Sequence, residues 1–469
     1  LNPEEDLQGE RDGFLLRLDL PRPTSLEDLG TIDFLLVPDL AMGTAGPRLF
    51  RWMPARSGVL TVEALNVAAG EQLVGRLYDR NPLTDPQAVP LMGFPTPAGE
   101  TRLDAEADAA LEYFLYLEGD AADCDLRIAS LLSQDAAGWT VFGTAGDDTF
   151  EVDAAAGVLA IQGVRYSVPG DGGGTLHFDG GPGQDVVILR DGPADDAVRI
   201  LPGRAEWVSG VIPDVICEDF SVIHVYAVAG GRDTAELYDA PPDGGRERAV
   251  KFKSEPQYPH AKMVGPGIYH RVKFFEEVRA FASGGNDQAV LFGSPGDDQL
   301  EAGLGRTQFR GPGFDVQLYD FPFLLANASS GGFDTVRFYD SPLKDEFHGK
   351  AAKSEMFDRV TGGARYRITA RYFDQVFARA GEGRDTASTG GADKAALWDT
   401  LGDDLAEVVG DVIRLYRVTS SGQRVLTHQV ELFELAKLRD RSGGDDRIDE
   451  VAPPAVTALV VGNGWLPPE

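Results

Sequence analysis

Apolar and polar residues alternate in short runs along most of the chain, with the period of two that sends successive side chains to opposite faces of a strand. Residues 14–20 (Phe14, Leu15, Leu16, Arg17, Leu18, Asp19, Leu20) form the first such run, and Pro21 and Pro23 end it because proline cannot donate to a ladder. Strands are then predicted over 31–36, 48–52, 59–64, 72–78, 112–117 and 125–129. Roughly 100 residues of evenly spaced strands read as a β-sandwich.

Beyond residue 140 the alternation is organised into a repeat. Asp185, Asp233, Asp287, Asp334 and Asp393 each open a block. An apolar residue stands four positions on (Leu189, Leu237, Leu291, Phe338, Leu397) and usually an aromatic five on (Tyr238, Phe292, Tyr339, Trp398). Asp or Gly stands six on. A second acidic turn follows at Asp195-Asp196, Asp243, Asp297-Asp298, Asp345 and Asp403-Asp404. A further strand opened by phenylalanine precedes several blocks, at Phe220, Phe275, Phe373 and Phe433, with glycine pairs at Gly230-Gly231, Gly284-Gly285 and Gly443-Gly444 turning the chain. A step of about 50 residues holds four to six short strands, or about two coils of a solenoid. Such a unit cannot bury its apolar face alone, so neighbours must stack. The expected fold class is all-β, a jelly-roll-like sandwich followed by a degenerate-repeat β-solenoid resembling a parallel β-helix. The expected division is an acidic arm and leading strand over 1–29, the sandwich over 30–134, the solenoid over 135–450 and a capping or linking tail over 451–469.

Composition narrows the function. The 469 residues include 75 acidic against 43 basic side chains, a net charge of −32, so a nucleic-acid partner is not expected. Glycine at 56 and proline at 29, without a collagen triplet, agree with many tight turns. No window of about 18 apolar residues is present, so no membrane span is expected. Cys124 and Cys217 share no CxxC spacing; they are expected as small buried thiols more than as a disulfide. The chain opens on Leu1 and a polar stretch, as a mature chain freed of its signal segment would, or a chain cut at that boundary.

Three resemblances add to this. The pieces Phe50-Arg51-Trp52, Ser57 to Val62, Gly75 to Asp79, Tyr113 to Gly119 and Asp125 to Ile128 resemble the prepeptidase C-terminal domain family, a jelly-roll-like accessory module of secreted bacterial proteins. That likeness implies a binding or spacer domain without catalytic residues. Gly143 to Phe150 and Gly293 to Leu300 resemble single units of hemolysin-type (RTX) calcium-binding repeats, which implies Ca²⁺ at Asp147, Asp148, Asp297 and Asp298. In that family the units recur every nine residues, whereas here they recur near every 50. Most of residues 30–450 is similar to large extracellular bacterial proteins in which a sandwich precedes many GGxDxAxLYDSxGDDxF repeats, as Gly230 to Asp239 illustrates. This implies secretion and a structural or adhesive role.

Calcium is a hard cation that takes six to eight oxygens. The plainer role of the same acids is to close tight turns by accepting backbone N–H groups. The six histidines, His177, His224, His260, His270, His348 and His428, show no zinc spacing, and neither a nucleophile elbow nor a phosphate-binding glycine loop is present. One stretch opposes the acidic trend: Arg246, Arg248, Lys251, Lys253, Lys262, Arg271, Lys273 and Arg279, with Tyr258, His260, Tyr269 and His270 among them. Lys251, Lys253 and His260 could serve a lyase-like proton abstraction beside a uronate, but an interaction surface is the expected role. Tyr238, Phe292, Tyr339 and Trp398 are expected to stack as a ladder in the core, and an exposed ladder would be a sugar platform.

The sequence thus describes a secreted, non-enzymatic structural protein of the cell surface or matrix. It is expected to assemble with itself through Phe14, Leu16, Leu18 and the basic residues Lys251, Lys253, Lys262 and Lys273. The alternative is an extracellular carbohydrate-binding or lyase-like protein with a surface polysaccharide as partner. No cofactor other than Ca²⁺ is indicated.

Overall fold

The computed structural model describes residues 26–466 apart from 43–45, 69, 95–100, 122, 169–173, 240–248, 284, 359–363, 382–392, 441–442 and 453–457. The leading run 14–20, with Phe14, Leu16 and Leu18, lies outside the described residues, as do Arg246, Arg248 and Asp243. The protein is all-β and divides into two units, Leu1–Gln134 and Asp135–Glu469.

The first unit is a sandwich. One sheet runs in the order Leu26–Ile32, Arg48–Pro54, Tyr113–Gly119, Leu73–Tyr78 and Met92–Phe94. The other sets Phe34–Leu40 beside Cys124–Gln134, then Gly58–Leu65, then Arg102–Ala107. Alternate residues of the two inner faces, among them Trp52, Leu77, Leu115, Leu60, Val62 and Ile128, merge into one core. Glu63 ties three strands together, accepting from Arg102 (3.0 Å) and Arg127 (2.7 Å). Cys124 and Cys217 are both buried free thiols, which corrects any expectation of a disulfide. Burial pushes both thiols up in pKa.

The second unit consists of two long sheets, and the chain passes from one to the other. Its building block begins with three antiparallel strands in one sheet, crosses to a single strand in the other sheet, and returns to a single strand in the first. Ala197–Leu201, Gly203–Val208 and Asp214–Phe220 form one such triplet, Val222–Tyr226 the crossing strand and Thr234–Tyr238 the return. The triplet runs backwards along the array. Its last strand pairs with the older neighbour Thr175–Asp179, and its first strand pairs in parallel with the return strand of its own unit. After three crossings the next triplet, Lys251–Glu255, His260–Gly265 and Ile268–Lys273, falls in the opposite sheet. Triplets therefore start at residues 149, 197, 251, 299, 345 and 404, in alternating sheets. The sequence repeat of about 50 residues is half of the structural period.

Inward residues form continuous columns. In the sixteen-stranded sheet Phe150, Val187, Ile223, His270, Met263 and Phe252 are successive partners in register. Each triplet after the first closes on a residue in the left-handed region followed by a phenylalanine: Asp219-Phe220, Phe274-Phe275, Asp320-Phe321, Tyr372-Phe373 and Leu432-Phe433. Phe220, Phe321, Phe373 and Phe433 are buried, and the rings of Phe220 and Phe433 pack on those of Phe150 and Phe347. The left-handed turn is needed to drop that ring into the core, and it strains a residue with a Cβ. Leu432→Gly is therefore expected to raise stability by about 1 kcal/mol in a denaturant melt; a loss would show that the Leu432 side chain contributes more than the strain costs.

At the end of the array, Ala458–Val461 adds in parallel to Leu435–Arg439, and Trp465 is buried beyond it. No helix among the described residues is long and apolar enough to cross a membrane.

Candidate functional site

Two groups of side chains carry the unusual chemistry of the second unit: a run of buried aspartates along its turns and a cluster of cations on one face.

The aspartates form a clip that recurs in every unit. The carboxylate that opens each block accepts a backbone N–H at the start of the triplet, from its first residue or the one before it. Asp148 donates to Asp185 (2.8 Å), Asp196 to Asp233 (2.8 Å), Asp298 to Asp334 (2.9 Å), Asp345 to Asp393 (2.8 Å) and Asp404 to Asp446 (3.0 Å). In the remaining unit Val250 holds this place and its N–H reaches Asp287 (2.8 Å), so the clip keeps its donor without the acidic side chain. The first acid of each Asp-Asp pair returns the bond. Asp147 accepts from Gln184, Asp195 from Arg232, Asp297 from Phe333 and Asp403 from Asp445, at 2.7 to 2.9 Å. The second acid also closes its own turn: Asp148, Asp298 and Asp404 each accept the N–H of Thr144, Ser294 or Thr400 at 2.7 Å, and the hydroxyl of the same residue.

Glycine is required where turns stack. A Cβ on Gly183, Gly231, Gly332 or Gly444 would stand 2.2 to 2.4 Å from the carbonyl oxygen of Gly146, Ala194, Gly296 or Gly402, and all four have positive φ. Gly231 and Gly444 are the second members of glycine pairs in the sequence.

Burial strongly raises the pKa of six of the block and turn acids. Asp196, Asp233, Asp345 and Asp446 are pushed up to about 6, and Asp334 and Asp393 to about 7; desolvation dominates and neighbouring carboxylates add to it. Asp185 Oδ2 is buried without a hydrogen-bond partner, which favours its protonated form in the same way.

Of the four acids predicted as calcium ligands, Asp148 and Asp298 are buried in turn closure, while Asp147 and Asp297 are exposed and bonded to the next turn. Among the described residues, the acids whose oxygens converge within 4.8 Å are instead Asp191, Asp196 and Asp233, and Asp399, Asp440 and Asp446. Most of the first set is already engaged by protein donors: Asp191 takes the N–H groups of Val228 and Ala229, and Asp196 those of Gly192 and the Trp207 indole.

The cations lie on the outer face of the triplet 251–273. Lys253, Lys262 and Arg271 stand directly opposite one another on its three strands, with His224 next in line. Lys253 Nζ meets Glu255 at 2.7 Å, and His260 meets the same carboxylate at 3.1 Å. Lys251 is exposed and faces Val264. Lys273 and Arg271 both lie over the Tyr226 ring, and Arg271 donates to its hydroxyl at 2.6 Å. Burial, followed by Arg271 and Lys273, lowers His224 to about 4. Beside the Lys251–Glu255 and His260–Gly265 strands lies a concavity of about 380 Å³, lined by Pro256, Pro259, His260, Phe275, Pro312 and Phe314 among others.

The aromatic ladder departs from expectation. Core positions fall two and four residues after the block aspartate, so the fifth position points outward. Leu237, Leu291, Phe338 and Leu397 are buried, whereas Tyr339 is 42% exposed and Tyr238 and Phe292 are half-buried; of the four aromatics Trp398 alone is buried, against His348, Lys350 and Arg439. Successive blocks also alternate between sheets, which keeps the four aromatics from stacking on one another. The ladder that forms is Tyr238, Phe281 and Tyr319, parallel at 4.5 and 4.7 Å on an outer face. His270 is a further residue that spacing could not place: it faces the core, neither ring nitrogen has a partner, and burial lowers it to about 4.

No protein-family model matches this chain, and none of the curated proteins matches it. Among solved structures it has a likeness to the pre-peptidase C-terminal domain of collagenase from Bacillus anthracis, with a TM-score of 0.17 and 16% identity, covering 23% of this chain and 97% of that one.

Proposed function

We propose that the chain is a secreted, non-enzymatic structural protein of the cell surface or extracellular matrix, whose repeats serve as a self-stacking scaffold. The observation that supports this most is the repetition of one clip through six units, with its acids bound to backbone amides in the next turn. Carboxylates used in this way set the spacing of a scaffold rather than meet a substrate. Growth between copies would use the edge strands of the sixteen-stranded sheet, Val164–Ser167 and Ala458–Val461, since unpaired edges template further strands. The leading run 14–20 is a second joint under the same proposal.

Electron microscopy of concentrated protein, with and without millimolar calcium, is expected to show filaments. Val461→Pro is expected to shorten them without shifting the melting midpoint, because the Gly462 N–H bonds back to Leu438 and the alternate N–H, that of Val461, faces the open edge. Single particles under every condition would sink the self-assembly reading.

A further inference from the structure

The Lys253, Lys262 and Arg271 row is unlike its equivalents. The same three positions hold Glu151, Ala160 and Arg165 in the first triplet, Arg199, Glu206 and Ile216 in the second, and Glu301, Gln308 and Gln317 in the fourth. The fifth has His348, Glu355 and Thr369, and the sixth Glu407, Arg414 and Gln429. Every other triplet places a glutamate in this row; this one places three cations, in a chain of net charge −32. Like charges directly opposite on neighbouring strands are destabilising, so the fold bears a cost here that it avoids five times elsewhere.

The protein itself leaves the row poorly satisfied. Lys262 has no ion-pair partner among the described residues. Arg271 Nε and His224 Nδ1 are buried without a hydrogen-bond partner. Strands in a sheet are about 4.8 Å apart, so the three cations span roughly 10 Å in a straight line along the array. Tyr226, Tyr269 and Phe292 flank them on the same face.

We propose that this face binds a linear polyanionic glycan, a chain bearing carboxylate or sulfate groups on successive sugars, with the cations taking the charges and the flanking rings the sugar faces. The line of charge fits an extended polymer, and aromatic rings with apolar bodies suit sugar rings. A sheet face of a second copy fits poorly, because the central outer rows of both sheets contain no run of three acids: in the other sheet Glu206, Arg199, Glu236 and Arg279 alternate in sign. A nucleic acid would require a larger basic footprint than one row on an acidic protein. The proposal goes beyond the scaffold reading and stands whether or not filaments form.

The test is calorimetric titration of the full chain, at a concentration where it is a single particle, with a uronate oligomer, a sulfated oligosaccharide, a neutral glucan and a duplex DNA. Binding to the first or second is expected, weakened by salt and absent for the glucan; which of the two binds more tightly assigns carboxylate or sulfate. Lys262→Glu should weaken it at least about tenfold, while keeping or raising the melting midpoint because a glutamate there faces Lys253 and Arg271. Lys437→Glu, in the same outer row but far along the sheet, should leave binding unchanged. The proposal is overturned by equal binding in Lys262→Glu, by no binding to either polyanion at low salt, or by tighter binding of DNA. Self-association that Lys262→Glu abolishes, with no glycan bound, would assign the row to a second copy and overturn it equally.

Discussion

Gly332→Ala is expected to lower the melting midpoint by about 6 °C or more, while Gly313→Ala lowers it by only about 2 to 4 °C, although both glycines have positive φ. The difference between them is contact. A Cβ at Gly313 meets nothing within 4 Å, whereas one at Gly332 stands 2.2 Å from the Gly296 carbonyl oxygen and 3.0 Å from the Asp297 nitrogen. The turn can accept that methyl only by moving away from its neighbour. That movement stretches both strands of the clip, Phe333 N–H to Asp297 and Asp298 N–H to Asp334. One buried and one exposed hydrogen bond, at about 1 kcal/mol each, added to about 1 kcal/mol or more of left-handed strain, exceed what the control loses. Equal melting midpoints for the two variants would mean that stacked turns yield without cost, and the clip would lose its role in holding the array.

Thermal stability is expected to rise as the pH is lowered from 8 to about 5. Asp196 and Asp233 are near 6 and Asp334 and Asp393 near 7 in the fold, against a value near 4 for an unfolded aspartate. A carboxyl with a raised folded pKa binds its proton more tightly when folded. Its contribution is complete below about pH 4 and is lost as the pH climbs through 6 and 7, at up to about 2.7 kcal/mol for a two-unit difference. Glu355 has the opposite sign: Lys353, Arg367 and His348 outweigh its burial and lower its pKa, so its contribution fades as acid approaches the unfolded value. The optimum is therefore expected near pH 5. Asp334→Asn keeps an oxygen for the Asp298 N–H and carries no charge, so it should raise the midpoint at pH 8 and flatten the pH slope. A midpoint that is level or falls between pH 8 and 5 would show that these acids are stabilised in their ionised form.

Much of this clip was legible from spacing. The block aspartates, the Asp-Asp turns and the glycine pairs are its donors, acceptors and contact points, although the sequence could not show that they bond to each other. A sixth copy at Asp446 was missed because the strand after it lacks the aromatic and acidic marks of the other blocks. Phe321 was missed as a turn phenylalanine because proline follows it. The crossing between sheets was not legible at all. Each strand of a triplet alternates in the same way, so the period of two reports which face is buried but not which sheet a strand joins or in which direction the triplet runs. Tyr238, Phe292 and Tyr339, five residues after their block aspartates, were misplaced for a related reason: a count from the aspartate fixes the side of the strand only when the strand's first residue is known.

The crossing has a consequence for how such a protein can change length. Each unit makes an odd number of passes, so deleting or duplicating a single one would deliver every later strand to the opposite side of the array. The closing strand Ala458–Val461, and with it the seat of Trp465, would then meet a surface it was not shaped for. Units can be gained or lost in pairs without that penalty, so chains related to this one by descent should differ by multiples of about one hundred residues.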